Sequence, residues 1–251
     1  MRTDTPRTRP AKPPLSRAAI VATTLALVDE LGFAAVSMRR VAQALDTGPA
    51  SLYVYIADRT ELMAAAYDLA LADVEIPTTG PWRPRLELLV TRAIESLGRH
   101  DDLASVTFAD VPTGPHALRL TEAILTLLRT AALDDAACAW AADLLDAHIT
   151  SSALELAARH RDQRTAATPP PTTAPDHHAP SPTGPADPRA ASPTALAEAT
   201  GARLRAVYDA LPPDTFPSIH ALRAHLVGGD RAAWKLRVLI DGLLAQSRPH
   251  D

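Results

Sequence analysis

The sequence predicts an all-α protein, and three observations predict it. Aromatic residues are 4% of the 251-residue chain while 47% of it is hydrophobic and alanine is abundant. A core of Leu, Ala and Val suits close helix packing better than sheets of β-branched and aromatic residues. Apolar residues recur at i, i+3, i+4 and i+7. Ser, Asp and Pro stand just before those runs, where helix starts need them.

Residues 1–14, "MRTDTPRTRPAKPP", are proline-rich, basic and without period, which predicts a disordered arm. Ser16 then caps a first helix with Ile20, Leu27, Val28 and Leu31 on one face and Gly32 as its stop. Ser37 caps a second, "MRRVAQAL", in which Met38, Val41, Ala42 and Leu45 keep the helical spacing. In the turn that follows, Asp46 tolerates left-handed backbone angles, Gly48 adds freedom, and Pro49 suits the first position of a short third helix reaching Tyr55. Asp58 and Glu61 have capping-box spacing and open a fourth helix.

Pro77, Gly80, Pro81 and Pro84 interrupt the pattern, so a domain 15–76 is expected to end there and a second to occupy 81–246. Its helical segments fall at about 84–99, 103–110, 115–132 and 135–161, the last with Trp140, Leu144 and His148 on one stripe. Residues 165–193 are dense in proline and predict a disordered insertion. Helical pattern resumes in "PTALAEATGARLRAVYDAL" and "FPSIHALRAHL", and Asp230 opens a last helix with a wide apolar face of Leu236, Leu239, Ile240, Leu243 and Leu244.

A formal charge of -4 argues against a uniformly basic surface, but Arg2, Arg7, Arg9, Lys12 and Arg17 against Asp4 alone make the N-terminal end the one that would meet a polyanion. Cys138 is the only cysteine, so no internal disulfide is expected and a reducing cytosol fits. "AAIVATTLALV" is too short to span a bilayer and no targeting segment is read. His177 and His178 fall in the insertion, and His220 and His225 are five apart, so neither a metal site nor a cofactor is expected.

The short helices at 37–45 and 49–55 form a helix-turn-helix pattern, in which the first braces the second and the second presents its N-terminal end to a major groove. Tyr53 and Tyr55 would project hydroxyls toward phosphate or base edges. The stretch "SMRRVAQALDTGPASLYVYIADRTEL" resembles the second to fourth helices of the TetR family, including its Leu52-Tyr53 pair. "VPTGPHALRLTEAILTLLRTAAL" and "LIDGLLAQ" are similar to the C-terminal domain of the branch that includes the tetracycline repressor. Departures are Asp46 where the family often has glycine, Thr47 for an apolar residue and Tyr55 for histidine, so no operator sequence carries over.

The resemblance implies an N-terminal three-helix DNA-binding domain and a C-terminal ligand-binding and dimerisation bundle. It implies a cytoplasmic homodimeric regulator, a repressor in most such families, released from a palindromic double-stranded DNA operator by a small-molecule effector, with no membrane partner. Arg39 is the first candidate for a base-edge contact, since a guanidinium pairs with guanine O6 and N7. Thr47, Gly48, Pro49, Ala50 and Ser51 lie where the recognition helix approaches DNA, Ala50 suiting a thymine methyl. Ser37, Tyr53 and Arg59 lie where phosphates are held, Tyr55 fits either role, and Leu52 should be core.

Candidate pocket residues are Phe108, His116, Leu118, Glu122, Trp140, Leu144 and His148, which combine apolar walls with a few polar groups. Trp234 is expected in the dimer or bundle core and Cys138 as a small buried filler. Two alternatives stand beside this reading. One is an effector-independent regulator controlled by a protein partner at the insertion. The other is an enzyme using Ser151, Ser152, His148 and Glu155, which lacks a strand-to-helix nucleophile elbow and an oxyanion-hole motif.

Overall fold

The structure is a computed structural model that describes residues 14–108, 111–131, 133–167, 202, 204–226 and 231–246. Among the described residues every regular element is helical. The expected arm, apart from Pro14, and residues 168–193 of the expected insertion lie outside the described residues.

Four helices form the N-terminal unit: α1 (Arg17–Leu31), α2 (Met38–Ala44), α3 (Pro49–Leu52) and α4 (Arg59–Ala70). Their starts follow the capping logic. The Oγ of Ser16 accepts the Ala19 N–H, that of Ser37 accepts the Arg40 N–H, and Oδ1 of Asp58 accepts the Glu61 N–H. The helix α1 buries Ile20, Val21, Thr24 and Val28, whereas Leu31, expected on that face, is exposed. Gly32, with a φ of 84°, ends the helix one residue later. At α3 the helix is shorter than expected, ending at Leu52 and leaving Tyr53–Tyr55 in a turn.

The larger unit holds α5 (Trp82–Leu97), a 3₁₀ segment (Asp101–Phe108), α6 (Pro115–Arg129) and α7 (Asp135–Ala167). A helical stretch α8 (204–210), α9 (Pro217–Leu226) and α10 (Ala232–Gln246) complete it. The 3₁₀ segment stands where a helix at 103–110 was expected, with non-helical angles at Asp102. The helix α7 runs on to Ala167, so 165–167 are helical rather than part of the expected insertion. Leu89, Val90 and Leu97 of α5 and Ala141, Leu145 and Ile149 of α7 are buried in a core continuous with Leu62 and Ala66 of α4. Complete burial of each such leucine is worth about 1.5–3 kcal/mol. Leu236 and Ile240 seat α10 on this core, and Cys138 is buried as expected.

Polar clasps join the two units. Asp101, held at a φ of 44°, accepts the Phe33 N–H through Oδ2 (2.9 Å) and pairs with Arg161 of α7. Gly32 lies so close that a Cβ there would sit 3.1 Å from the same Oδ2. A buried Ser96 hydroxyl donates to the Ala70 carbonyl (2.7 Å), fixing the end of α4 to α5.

Candidate nucleic-acid interface and ligand cavity

The turn between α2 and α3 is built from backbone bonds. The Asp46 N–H donates to Gln43 O (3.0 Å) and the Thr47 N–H to Ala42 O (2.9 Å), with Asp46 left-handed at φ 50°, which is the Schellman ending of a helix. Asp46 therefore supplies the conformation for which two residues seemed available. Gly48 has an ordinary φ of -83° and nothing within 4 Å of a Cβ placed on it. Gly48→Ser is accordingly expected to leave the Tm unchanged or slightly raised, because serine caps α3 better than glycine by a few tenths of a kcal/mol. The same added side chain projects into open space beside Pro49 and should weaken DNA binding, as a thermal melt paired with a DNA titration would read.

Leu52 and Ile56, both essentially unexposed, anchor α3 and the following turn, while Tyr53 on the same short stem is 55% exposed. Pro49, Ala50 and Tyr55 are also exposed, and Thr47 and Ser51 are half-buried. Arg39 and Arg40 are exposed at the start of α2. Cations at a helix N-terminus oppose its dipole, so this placement is one that an external anion would relieve. The Ser37 oxygen is engaged as the α2 cap.

Arg59, expected to hold a phosphate, is engaged within the chain. Its Nε donates to Val36 O (2.9 Å), its Nη2 donates to Phe33 O (3.0 Å), and the guanidinium lies 5.1 Å from the Phe33 ring centroid. Two carbonyls left over from the α1–α2 connection claim the side chain, so it ties α4 to that connection. Beside it, Glu61 accepts the Ala57 N–H at Oε2 (2.7 Å) and pairs with Arg17. The backbone bond first, and Arg17 with it, holds the Glu61 carboxyl below its ordinary range against an opposing desolvation.

A cavity of about 310 Å³ lies between α4, α6 and α7. Tyr67 of α4 and Leu71 just after it, Leu120 and Ile124 of α6, and Asp146 and Ile149 of α7 line it, together with Val111 and Pro112. None of the seven expected pocket residues is among its lining. Phe108 and Trp140 are 75% and 74% exposed, and Leu118, Glu122 and Leu144 also face outward. His116 contributes its backbone N–H to Asp68 instead of a side chain to the cavity. The difference between the expected residues and this lining is one of helical phase. The inward stripe of α6 runs Ala117, Leu120, Ile124, and that of α7 runs Ala139, Ala142, Asp146, Ile149, one position from the residues expected.

His148 is buried away from the cavity, its Nδ1 3.4 Å from Ser152 Oγ. Burial, and then Lys235, pushes its pKa down, which Glu155 partly offsets. Ser152 is as deeply buried as His148, whereas Ser151 is exposed and donates its hydroxyl to the His148 carbonyl (3.2 Å). Among the described residues no group of three metal-ligating side chains occurs and no helix is long and apolar enough to cross a membrane. Trp234, expected in the dimer or bundle core, is exposed on α10 of the single chain.

Cavity and head are mechanically joined at α4. The Asp68 Oδ1 accepts the N–H groups of His116 and Ala117 (both 2.9 Å), capping α6 from another helix, and Gly114 packs against the same side chain. In return Arg119 of α6 donates to the carbonyls of Leu71, Ala72 and Val74 at the end of α4. Sequence reasoning found neither residue. An acidic side chain forty-eight residues from the helix it caps leaves no local signal.

A tight-turned helix pair with an exposed second helix, mounted on a helical bundle that encloses a cavity, defines a helix-turn-helix transcriptional regulator. Residues 20–66 match the family model of bacterial regulatory proteins of the tetR family, and residues 76–199 match that of the tetracyclin repressor-like C-terminal domain. The chain belongs to the TetR family.

The chain is similar to the HTH-type transcriptional repressor DrrR1 of Streptomyces coeruleorubidus, 32% identical over 64% of this chain and 61% of that one, so the match spans less than two thirds of that repressor. Apo ActR from Streptomyces coelicolor superposes with a TM-score of 0.72 at 29% identity, covering 94% of this chain and all of that one. ActR in complex with actinorhodin gives a TM-score of 0.70 at 30% identity over 93% and 97% of the two chains.

Proposed function

We propose that this chain is a homodimeric repressor that leaves a near-palindromic operator when a small molecule occupies the cavity between α4, α6 and α7. The single observation that carries this reading is α3, whose Leu52 is sealed while Pro49, Ala50 and Tyr53 stand clear on a stem too short to serve the core. Short exposed helices of this kind fit a major groove, with residues 15–76 acting as the DNA-binding unit and 81–246 as the ligand-binding and dimerisation unit. The similarity to the repressor DrrR1 and to ActR, which is known with actinorhodin, supports both halves of the proposal.

A second copy accounts for apolar surface that the single chain leaves uncovered. Trp140, Leu144 and Ala147 form an exposed stripe on α7, Trp234 and Val238 form one on α10, and α9 has no buried residue. Two-fold pairing of these faces gives a helical bundle and puts two copies of α3 on one side of a duplex, with half-sites about one turn or a multiple apart. Val238→Asp is expected to shift the protein from dimer to monomer in sedimentation and to abolish operator binding while α1–α4 stay folded.

Release follows from the position of Tyr67 and Leu71, which line the cavity on and just after the helix that carries the DNA-binding head. A ligand bound more tightly by one arrangement of α4 than by the other shifts the spacing of the heads and lowers DNA affinity by its differential binding energy. Selection of bound sequences from random DNA by the purified protein is expected to enrich a near-palindrome. Enrichment of a single asymmetric site, or of none, would count against the dimeric operator reading.

A further inference from the structure

Resting on the proposed ligand role of the α4–α6–α7 cavity, we infer that the effector is a lipophilic amine: an apolar scaffold whose cationic nitrogen is held by Asp143 and Asp146. Both carboxylates lie on the α7 wall at i and i+3, exposed to solvent on one side, and neither has a hydrogen-bond or ion-pair partner among the described residues. No Lys, Arg or His contributes to the cavity lining among those residues. Apolar side chains such as Leu71, Leu120 and Ile124 form most of the remaining wall. Such a wall selects a hydrocarbon body, and two like-charged acids at its open side favour a cation and repel a carboxylate.

A second observation comes from the opposite helix. Tyr67 is almost completely buried and lines the same cavity, and no hydrogen bond occupies its hydroxyl among the described residues. Burial first, then Asp146 and Asp68, pushes its ionisation well above the ordinary tyrosine value, so it stays a neutral phenol facing the acids. Burial, with the charge of Asp143 adding to it, likewise raises the Asp146 carboxyl above its ordinary range. An ammonium placed among these groups relieves the repulsion between the two acids, accepts no clash of charge from any neighbour, and can lie over the Tyr67 ring. The cavity volume of about 310 Å³ sets an upper size of a few fused rings or an equivalent chain.

The test uses the full-length protein and one anthracene scaffold carrying an aminomethyl, a hydroxymethyl or a carboxylate group, titrated by fluorescence. The aminomethyl compound is expected to bind about threefold to fivefold tighter than the hydroxymethyl one, as ion pairing to solvent-exposed acids allows, and the carboxylate least. In the Asp143→Asn/Asp146→Asn double variant that preference should vanish while affinity for the hydroxymethyl compound is retained. Without ligand the double variant should melt higher at neutral pH. A carboxyl whose folded pKa is raised costs stability once pH exceeds its unfolded value, so the gain disappears in acid where both states are protonated. Ala142→Trp, which fills the cavity, should block all three compounds. Equal binding of amine and alcohol, with both blocked by Ala142→Trp, would overturn the cation assignment and leave the cavity as the ligand site. Binding that ignores Ala142→Trp, or no binding by any of the three, would overturn both readings.

Discussion

Truncation of Asp68 to alanine is expected to lower the Tm by roughly 4–8 °C, since a lost helix cap costs up to ~2 kcal/mol and each kcal/mol moves a chain of this size by about 2–4 °C. The side chain is buried, and its single Oδ1 satisfies two N–H groups at the start of α6. Alanine leaves both without a partner at a site that water enters poorly. Asp68→Asn keeps an oxygen at that position and should recover most of the loss, which separates the hydrogen bonds from the bulk of the side chain. Gly114→Ala attacks the same contact from the other side. A Cβ there would stand 2.2 Å from the Asp68 Cγ, so Gly114 is required by space, its φ of -68° being open to any residue.

The same substitution should also change function. With Asp68 removed, α4 and α6 are held by Arg119 and packing alone, so ligand binding in the cavity should displace DNA less effectively at equal occupancy. A melt together with ligand-dependent release of an operator fragment reads both effects. An unchanged Tm with release intact would show that the clasp has no energetic consequence. An unchanged ligand affinity with weaker release would place the coupling at this contact.

How much of this was legible beforehand differs by element. Caps are local in sequence, so Ser16, Ser37 and Asp58 announced their helices, and all three make the expected bonds. Leu52 was legible as core because it is the one large apolar side chain of a very short helix, just before the tyrosine pair. The inward faces of α6 and α7 were not. In "HALRLTEAIL" Leu118 and Leu120 are equally apolar, and only packing against α4 decides that Leu120 turns inward. Alanines surround α7, so its large side chains Trp140 and Leu144 drew attention although they lie on the outer face. Apolar side chains left on an outer face look the same in sequence as those that fill a core. Arg59 and Asp68 escaped for a different reason: their partners are set by tertiary approach, twenty-three to forty-nine residues away.

Arg39 and Arg59 then make opposite predictions, although both are arginines beside the same turn. Arg39→Ala removes an exposed cation that opposes the α2 dipole, so the Tm should stay within about a degree or rise, as for surface changes within ±0.5 kcal/mol. If the side chain pairs with a guanine edge, each half-site loses about 1–3 kcal/mol, and a dimer loses it twice. That amounts to about thirtyfold in affinity at the lower bound, together with relaxed preference at one position per half-site. Arg59→Ala instead strips the carbonyls of Val36 and Phe33 of their donor and removes the cation from the Phe33 ring. Each hydrogen bond to a charged group is worth about 1.5–3 kcal/mol, so the Tm should fall clearly. DNA affinity should then drop for every sequence alike, through a head that is less well held and with base preference intact. The decisive comparison is a melt and a base-preference selection on both variants. A stable Arg59→Ala protein with an altered salt dependence of binding would return that residue to the phosphate backbone, and an Arg39→Ala protein with unchanged affinity would remove α2 from the interface.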